Sequence, residues 1–195
     1  NGNGARVMTV YPDSSSTVFP AQNAGLCVGE HYEVEGSTTR SYYYLGGQRI
    51  AMRIDDGQDS EVYWFHSDHL GSTSLLSDIS GNEVVTSTAR FYPYGEYRVT
   101  PTSDLTDKGF TGHAQNDYIN LIYMRARYYS ASLGRFLSAD SIIPDPSSAG
   151  SYNRYQYAAG NPIKYFDPTG HAECLDSECA VVRNHITGKL RLGPS

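Results

Sequence analysis

Asn153-Arg154-Tyr155-Gln156-Tyr157-Ala158-Ala159-Gly160-Asn161-Pro162-Ile163-Lys164-Tyr165-Phe166-Asp167-Pro168-Thr169-Gly170-His171 is the stretch on which the fold turns. Tyrosines at alternate positions suit a pleated, half-buried surface. Asn161-Pro162 and Asp167-Pro168-Thr169-Gly170 are turn signals, because Asn and Asp side chains can bond backbone amides one or two residues on, while Gly tolerates positive φ. The segment therefore reads as short extended pieces separated by tight, side-chain-closed turns, with a short helical turn near Tyr152 to Ala158.

The same texture continues outward. Among 195 residues there are 17 Tyr and 19 Gly. Arg40 to Leu45 and Gln48 to Ile54 flank Gly46-Gly47, a hairpin signal because two glycines supply the positive φ of a primed turn. Glu61 to Ser67, Ser72 to Ser77 and Glu83 to Phe91 read as further strands, the last two joined by Ser80-Gly81-Asn82. Asn120 to Tyr129 contains good helix formers, yet its aromatic and Arg alternation favours strand. Pro144 to Ser151 is a loop. The expected fold is all-β: Tyr/Gly-rich antiparallel hairpins, in one domain with a sizeable core.

Charge and composition exclude several functions. A net charge of −6 without any basic run disfavours nucleic acid, whose phosphates need clustered Lys and Arg. No apolar run is long enough for a membrane-spanning helix. No phosphate-binding glycine loop, nucleophile elbow or His-Glu-x-x-His occurs, and no cofactor is expected. Asn1 without an initiator Met reads as the start of either an engineered piece or a processed fragment of something longer.

Asn153 to His171 resembles the closing motif of the C-terminal repeat-associated core domain of the Rhs (YD-repeat) family. Six further blocks resemble that family's landmarks in the same order. They are Tyr42-Tyr43-Tyr44-Leu45-Gly46-Gly47-Gln48-Arg49-Ile50-Ala51, Ser67-Asp68-His69-Leu70-Gly71-Ser72-Thr73 and Phe91-Tyr92-Pro93-Tyr94-Gly95-Glu96. After them come Gly109-Phe110-Thr111-Gly112, Ala126-Arg127-Tyr128-Tyr129 and Leu133-Gly134-Arg135-Phe136-Leu137-Ser138-Ala139-Asp140. The resemblance implies hairpins curling into a partial Rhs-type β-shell. It divides the chain into an N-terminal strand and linker segment (1–40), the Rhs core domain (41–171) and a short C-terminal tail (172–195).

The resemblance also implies chemistry. The family's closing motif is similar to an aspartyl autoprotease, and the matching positions here are Arg127, Asp140 and Asp167, with cleavage after His171. Two close carboxylates can share one proton, so that one polarises the scissile carbonyl while the other activates water. A guanidinium beside them would offset the developing oxyanion. Where the family usually has Leu after Asp-Pro-x-Gly, this chain has His171. Imidazole would sit poorly in an apolar pocket shaped for Leu, and Asp167 has the alternative of simply closing an Asx turn.

The tail carries His171, Cys174, Cys179 and His185. Two thiols and two imidazoles could form a tetrahedral zinc site, though at irregular spacing. A Cys174–Cys179 disulfide across a tight loop is the simpler expectation in an oxidising compartment, and Cys27 bridging to either of them is the alternative. Asp55, Asp56, Asp59 and Glu61 lack the Gly and the final Glu of a calcium loop, and read as a solvated acidic turn. His66 and His69 flank Asp68 inside a turn landmark.

The leading expectation is a secreted or cell-surface structural module that closes a β-shell or self-assembles into a filament. Its partners would be copies of itself or the rest of an Rhs shell. Open sheet edges recruit other strands, and Arg6 to Tyr11 is the expected donor, with Arg183 to Leu192 second. Alternatives are the self-cleaving core, releasing a short C-terminal peptide, and an adhesion or recognition module.

Overall fold

A computed structural model describes residues 8–10, 16–18, 31–141, 149–171 and 174–175. Among these there are strands and short 3-10 turns and no α-helix. Seven strands form one antiparallel meander: β1 (Met8–Val10), β2 (Ser16–Val18), β3 (Tyr32–Glu35), β4 (Thr38–Leu45), β5 (Gln48–Asp55), β6 (Ser60–Ser67) and β7 (Thr73–Ser77). A two-stranded ribbon follows, β8 (Arg90–Phe91) with β9 (Tyr97–Val99). A four-stranded meander comes next: β10 (Ala114–Asn116), β11 (Leu121–Met124), β12 (Arg127–Ser130) and β13 (Arg135–Phe136). Last, β14 (Tyr165–Phe166) pairs with β15 (Cys174–Leu175). Within each sheet, strands consecutive in the chain pair antiparallel.

The Gly46-Gly47 hairpin forms as expected and places Tyr42 opposite Met52, but the register shifts between Tyr43 and Tyr44, so that Leu45 lies opposite Gln48 rather than Arg49. Both glycines have positive φ, 60° and 84°. A Cβ at Gly47 would meet nothing within 4 Å, so the demand is purely conformational. Gly47→Val is expected to cost about 1–2 kcal/mol, read as a lower urea midpoint with the slope unchanged.

Two sequence expectations need correction. Asn120 to Tyr129 is not one strand but the hairpin β11–β12, because Arg125 turns the chain with φ at 56°. Glu83 to Phe91 is not a strand either. Val85–Ser87 forms a 3-10 turn, and the Ser87 hydroxyl donates to the Val84 carbonyl while accepting from Leu76 N–H at 2.8 Å. That side chain substitutes for part of a ladder. The helical turn expected near Tyr152 to Ala158 resolves into two 3-10 turns bracketing it, Ala149–Tyr152 and Ala158–Gly160.

The two larger sheets each close over an apolar cluster. Tyr42, Met52 and Leu76 are buried in the first, and Phe110, Ile122, Met124, Tyr129, Phe136, Tyr157 and Ala158 in the second. Edge-to-face and tilted aromatic pairs fill the second, such as Tyr129 against Tyr157 at 4.6 Å and against Phe136 at 5.6 Å. Such pairs add roughly 0.5–1.5 kcal/mol beyond the area they bury. A buried charge group beside the first cluster was not foreseen: Lys108 pairs with Glu33 and Asp107, while the Tyr42 hydroxyl donates to Glu33 at 3.0 Å. Burial alone would lower the Lys108 ammonium; the charges of Asp107, Tyr42 and Glu33 outweigh it and raise it instead. The pair ties β3 to the segment leading into β10.

Candidate active site

The second cluster forms a floor for a charged centre. Arg127 opens β12 immediately after the tight turn at Arg125 and Ala126, which aims its side chain inward. Its guanidinium lies over the Phe136 ring, 3.5 Å from the centroid. Asp140 follows β13, and Asp167 sits directly after β14. All three are buried, at 6%, 6% and 2% exposure. Arg127 Nη2 lies 2.8 Å from Asp140 Oδ2 and 3.4 Å from Asp167 Oδ2. The trio spread along the chain is thus brought together on one guanidinium nitrogen. Burial pushes the Arg127 guanidinium down from its ordinary value, against the opposing pull of Asp140 and Asp167.

Asp167 does two things at once. Its Oδ2 faces Arg127, while Oδ1 accepts from the backbone N–H of Thr169 (3.1 Å), Gly170 (2.8 Å) and His171 (3.2 Å). The Asx turn and the charged centre are therefore one structure. The turn is locked onto the β11–β12 hairpin from outside: Ala126 N–H donates to Thr169 O at 3.3 Å, and Arg127 Nε donates to Gly170 O. Gly170 has φ of 77°, and a Cβ there would lie 2.1 Å from Met124 O. Only glycine allows that approach.

Two residues that sequence reasoning missed position the carboxylates. Arg154 donates through Nε and Nη2 to the Asp140 carbonyl, and Asp140 N–H returns a bond to Arg154 O at 2.8 Å. Arg127 Nη1 also donates to Arg154 O, at 3.0 Å. His113 is buried and its Nε2 donates to the Asp167 carbonyl at 2.8 Å, which requires the Nε2–H tautomer. Burial, then Arg125, pushes its pKa down to about 3, so it is neutral here. Signals for both lay in quoted motifs: Arg154 is the Arg of Asn-Arg-Tyr, and His113 directly follows Gly109-Phe110-Thr111-Gly112.

His171 does not occupy an apolar Leu site. Its side chain is 35% exposed, and Nδ1 lies 2.8 Å from Asp140 Oδ1. A polar partner takes the place of the expected mismatch. Among the described residues no group of three metal-ligating side chains occurs. The zinc candidates Cys179 and His185 lie outside the described residues, as do Cys27 and the side chain of Cys174, so both disulfide alternatives fall there too. The backbone of Cys174 is placed, opposite Phe166 in β14–β15. The acidic turn is closed on itself: Asp55 and Asp56 accept backbone N–H bonds from Gly57, Gln58 and Asp59. Asp68 likewise closes its own turn, and His69 bonds Ile163 O, away from the centre.

No family model matches the chain. In sequence it is 29% identical over 145 residues to the tRNA3(Ser)-specific nuclease WapA of Bacillus spizizenii, covering 71% of this chain and 6% of that protein. It is 30% identical over 116 residues to the toxin protein Tse5 of Pseudomonas aeruginosa, covering 57% and 8%. With the toxin subunit YenC2 of Yersinia entomophaga it shares 26% over 151 residues, covering 75% and 14%. In structure it is similar to the TcdB2-TccC3-Cdc42 crystal structure, with a TM-score of 0.66 at 19% identity over 88% of this chain and 9% of that one. The Photorhabdus luminescens Tc holotoxin pore gives 0.64 at 19% identity over 87% and 8%. The chain thus spans a small part of every relative named here.

These relatives overturn the expectation of a structural module that closes a shell, polymerises or serves adhesion: they are named as tRNA nucleases and toxins. The argument for polymerisation assumed that edges left open in this chain need a second copy. In the longer relatives the matched segment is continuous with far more chain, which can cover an edge. The expected donor segment is also engaged within its own chain, Met8–Val10 pairing with Ser16–Val18. By sequence this chain is related to the Rhs-type toxins, and its all-β fold is similar to that of the Rhs β-shell.

Proposed function

We propose that this chain is the C-terminal core segment of a secreted Rhs-type toxin, and that its Arg127–Asp140–Asp167 centre cuts the chain's own backbone after His171. The observation that carries this reading is that one nitrogen, Arg127 Nη2, reaches both buried carboxylates while Asp167 and Arg127 also hold the backbone of Gly170 and His171. The chain to be cut is thereby bound in the centre, which converts a bimolecular encounter into an intramolecular one. Water adds to the His171 carbonyl carbon as the Asp140 carboxylate takes its proton. That proton passes to the departing Ala172 nitrogen, and the C–N bond breaks. One water is consumed, leaving a carboxylate on His171 and an amine on Ala172. The Arg127 charge offsets the negative charge that develops in between.

Intact mass of the native chain is expected to show a fragment ending at His171 accumulating over time. Asp140→Asn is expected to stay full length with its fold retained, since Arg127 keeps Asp167 as a counter-charge. A native chain still intact after days, or an Asp140→Asn chain cut at the same bond, overturns the reading.

A further inference from the structure

We infer that the turn from Gly109 to His113 is a joint between the first sheet and the charged centre, and that Arg49 is the positioning residue that sets it. The joint goes beyond the cleavage reading and does not depend on it. Three of the blocks singled out in the sequence converge here: the one holding Arg49, the one ending in Ser72-Thr73, and Gly109-Phe110-Thr111-Gly112. The turn closes on itself, Gly112 N–H donating to Gly109 O and His113 N–H to Phe110 O, both at 3.0 Å. Thr111 and Gly112 have positive φ, 47° and 74°. For a β-branched residue that conformation is costly, and it persists where the surroundings hold it in place.

The first sheet and its β6–β7 turn supply that hold. Thr73 N–H donates to Gly109 O at 3.2 Å, Thr111 N–H to the Ser72 hydroxyl at 3.1 Å, and Arg49 Nη2 to Gly112 O at 3.1 Å. Arg49 is itself fixed. Its guanidinium lies 5.2 Å from the Tyr42 ring centroid and 5.5 Å from those of Tyr44 and Phe65, and it donates to the Tyr44 hydroxyl through Nε and Nη2. Gly112 O and His113 N–H belong to one peptide plane. With its carbonyl end on Arg49 and its N–H end on Phe110 O, that plane is held at both ends, and the direction of the His113 side chain is held with it. This is the side chain whose Nε2 donates to the Asp167 carbonyl at 2.8 Å. Asp167 Oδ1 in turn holds the amides of Gly170 and His171. Charge acts in the same sense: burial, then Arg125, keeps His113 neutral, and Arg49 adds to both. A change in β4 or β5 that moves Arg49 is therefore felt at Asp167.

The test is amide hydrogen exchange of the full chain by NMR, with the ring-nitrogen shifts of His113 reporting its tautomer and circular dichroism showing that each variant is folded. Arg49→Met keeps an apolar stem against Tyr42 but has no donor for Gly112 O. It is expected to speed exchange at Gly170 and His171 about 10-fold by local opening of the Asp167 turn, and to leave the β5–β6 ladder unchanged. His113 should move from the single Nε2–H form towards a mixture of tautomers. Arg49→Lys, which restores a donor and the charge, is expected to recover most of the protection. Tyr44→Phe loosens the guanidinium without removing it, should shift the same amides less, and carries the test if Arg49→Met does not fold. In a His113→Phe background, Arg49→Met is expected to add nothing at Gly170 and His171. Native exchange at those amides in the folded Arg49→Met or Tyr44→Phe chain overturns the joint. So does an undiminished effect of Arg49→Met on top of His113→Phe, which would mean that Arg49 acts by another route. Neither result touches the cleavage reading, which stands or falls on the intact mass of the native and Asp140→Asn chains.

Discussion

Arg127→Met is expected to remove about 3–5 kcal/mol of stability, a large part of what a chain of this size has to lose. Met retains an apolar stem against Phe136, so the packing loss is small and the loss of charge is isolated. What remains is Asp140 and Asp167, buried at 6% and 2% exposure, without the cation that holds both. The Gly170 carbonyl loses the Arg127 donor as well, and the Arg154 carbonyl keeps only the one from Asp140 N–H. Urea unfolding gives the number. Adding Asp140→Asn to Arg127→Met should recover part of the loss, because it removes one of the stranded charges. A loss below about 1 kcal/mol would mean that the guanidinium contributes little to this centre.

Acid is expected to unfold the protein earlier than its carboxylates alone require, through His113. Its imidazole is buried and its pKa is pushed down to about 3 by desolvation, Arg125 adding to the effect. In the unfolded chain it returns to about 6.5. A base whose folded pKa is depressed stabilises the fold fully above its unfolded value, and that stability is lost as pH falls from about 6.5 towards 3. At about 1.4 kcal/mol per unit the ceiling is near 5 kcal/mol. His113→Gln keeps a donor for the Asp167 carbonyl and does not titrate. Its stability should fall less steeply than that of the native chain between pH 6.5 and 4, with the carboxylates common to both. Parallel slopes would show that His113 is not the acid-sensitive group.

Local chemistry was legible in the sequence because it acts over a few residues. Gly46-Gly47 signalled a tight hairpin, and the hairpin forms, although a register shift between Tyr43 and Tyr44, which nothing in the sequence marks, sets Tyr42 opposite Met52. Asp167-Pro168-Thr169-Gly170 could only close a side-chain turn, and it does, on three backbone amides. Where a local reading went wrong, a single unmarked residue decided: Arg125 carries no turn signature, yet its positive φ splits Asn120 to Tyr129 into a hairpin. Ser87 likewise replaces a ladder with one hydroxyl. The trio of Arg127, Asp140 and Asp167 came from resemblance to a family, not from spacing, since nothing along the chain relates residues 27 and 40 positions from Asp167.

Tertiary structure decided everything that depends on which segments meet. It places Asp140 and Asp167 on one guanidinium, puts His113 and Arg154 behind their backbones, and seats His171 on Asp140. It also buries Lys108 with Glu33, 75 positions apart. The physical reason is the range of the forces involved. Turn and strand preferences are written in neighbouring dihedrals and side chains, which a sequence displays directly. A buried charge is tolerated only where a distant partner arrives to meet it, and the chain states that partner's identity without stating its address.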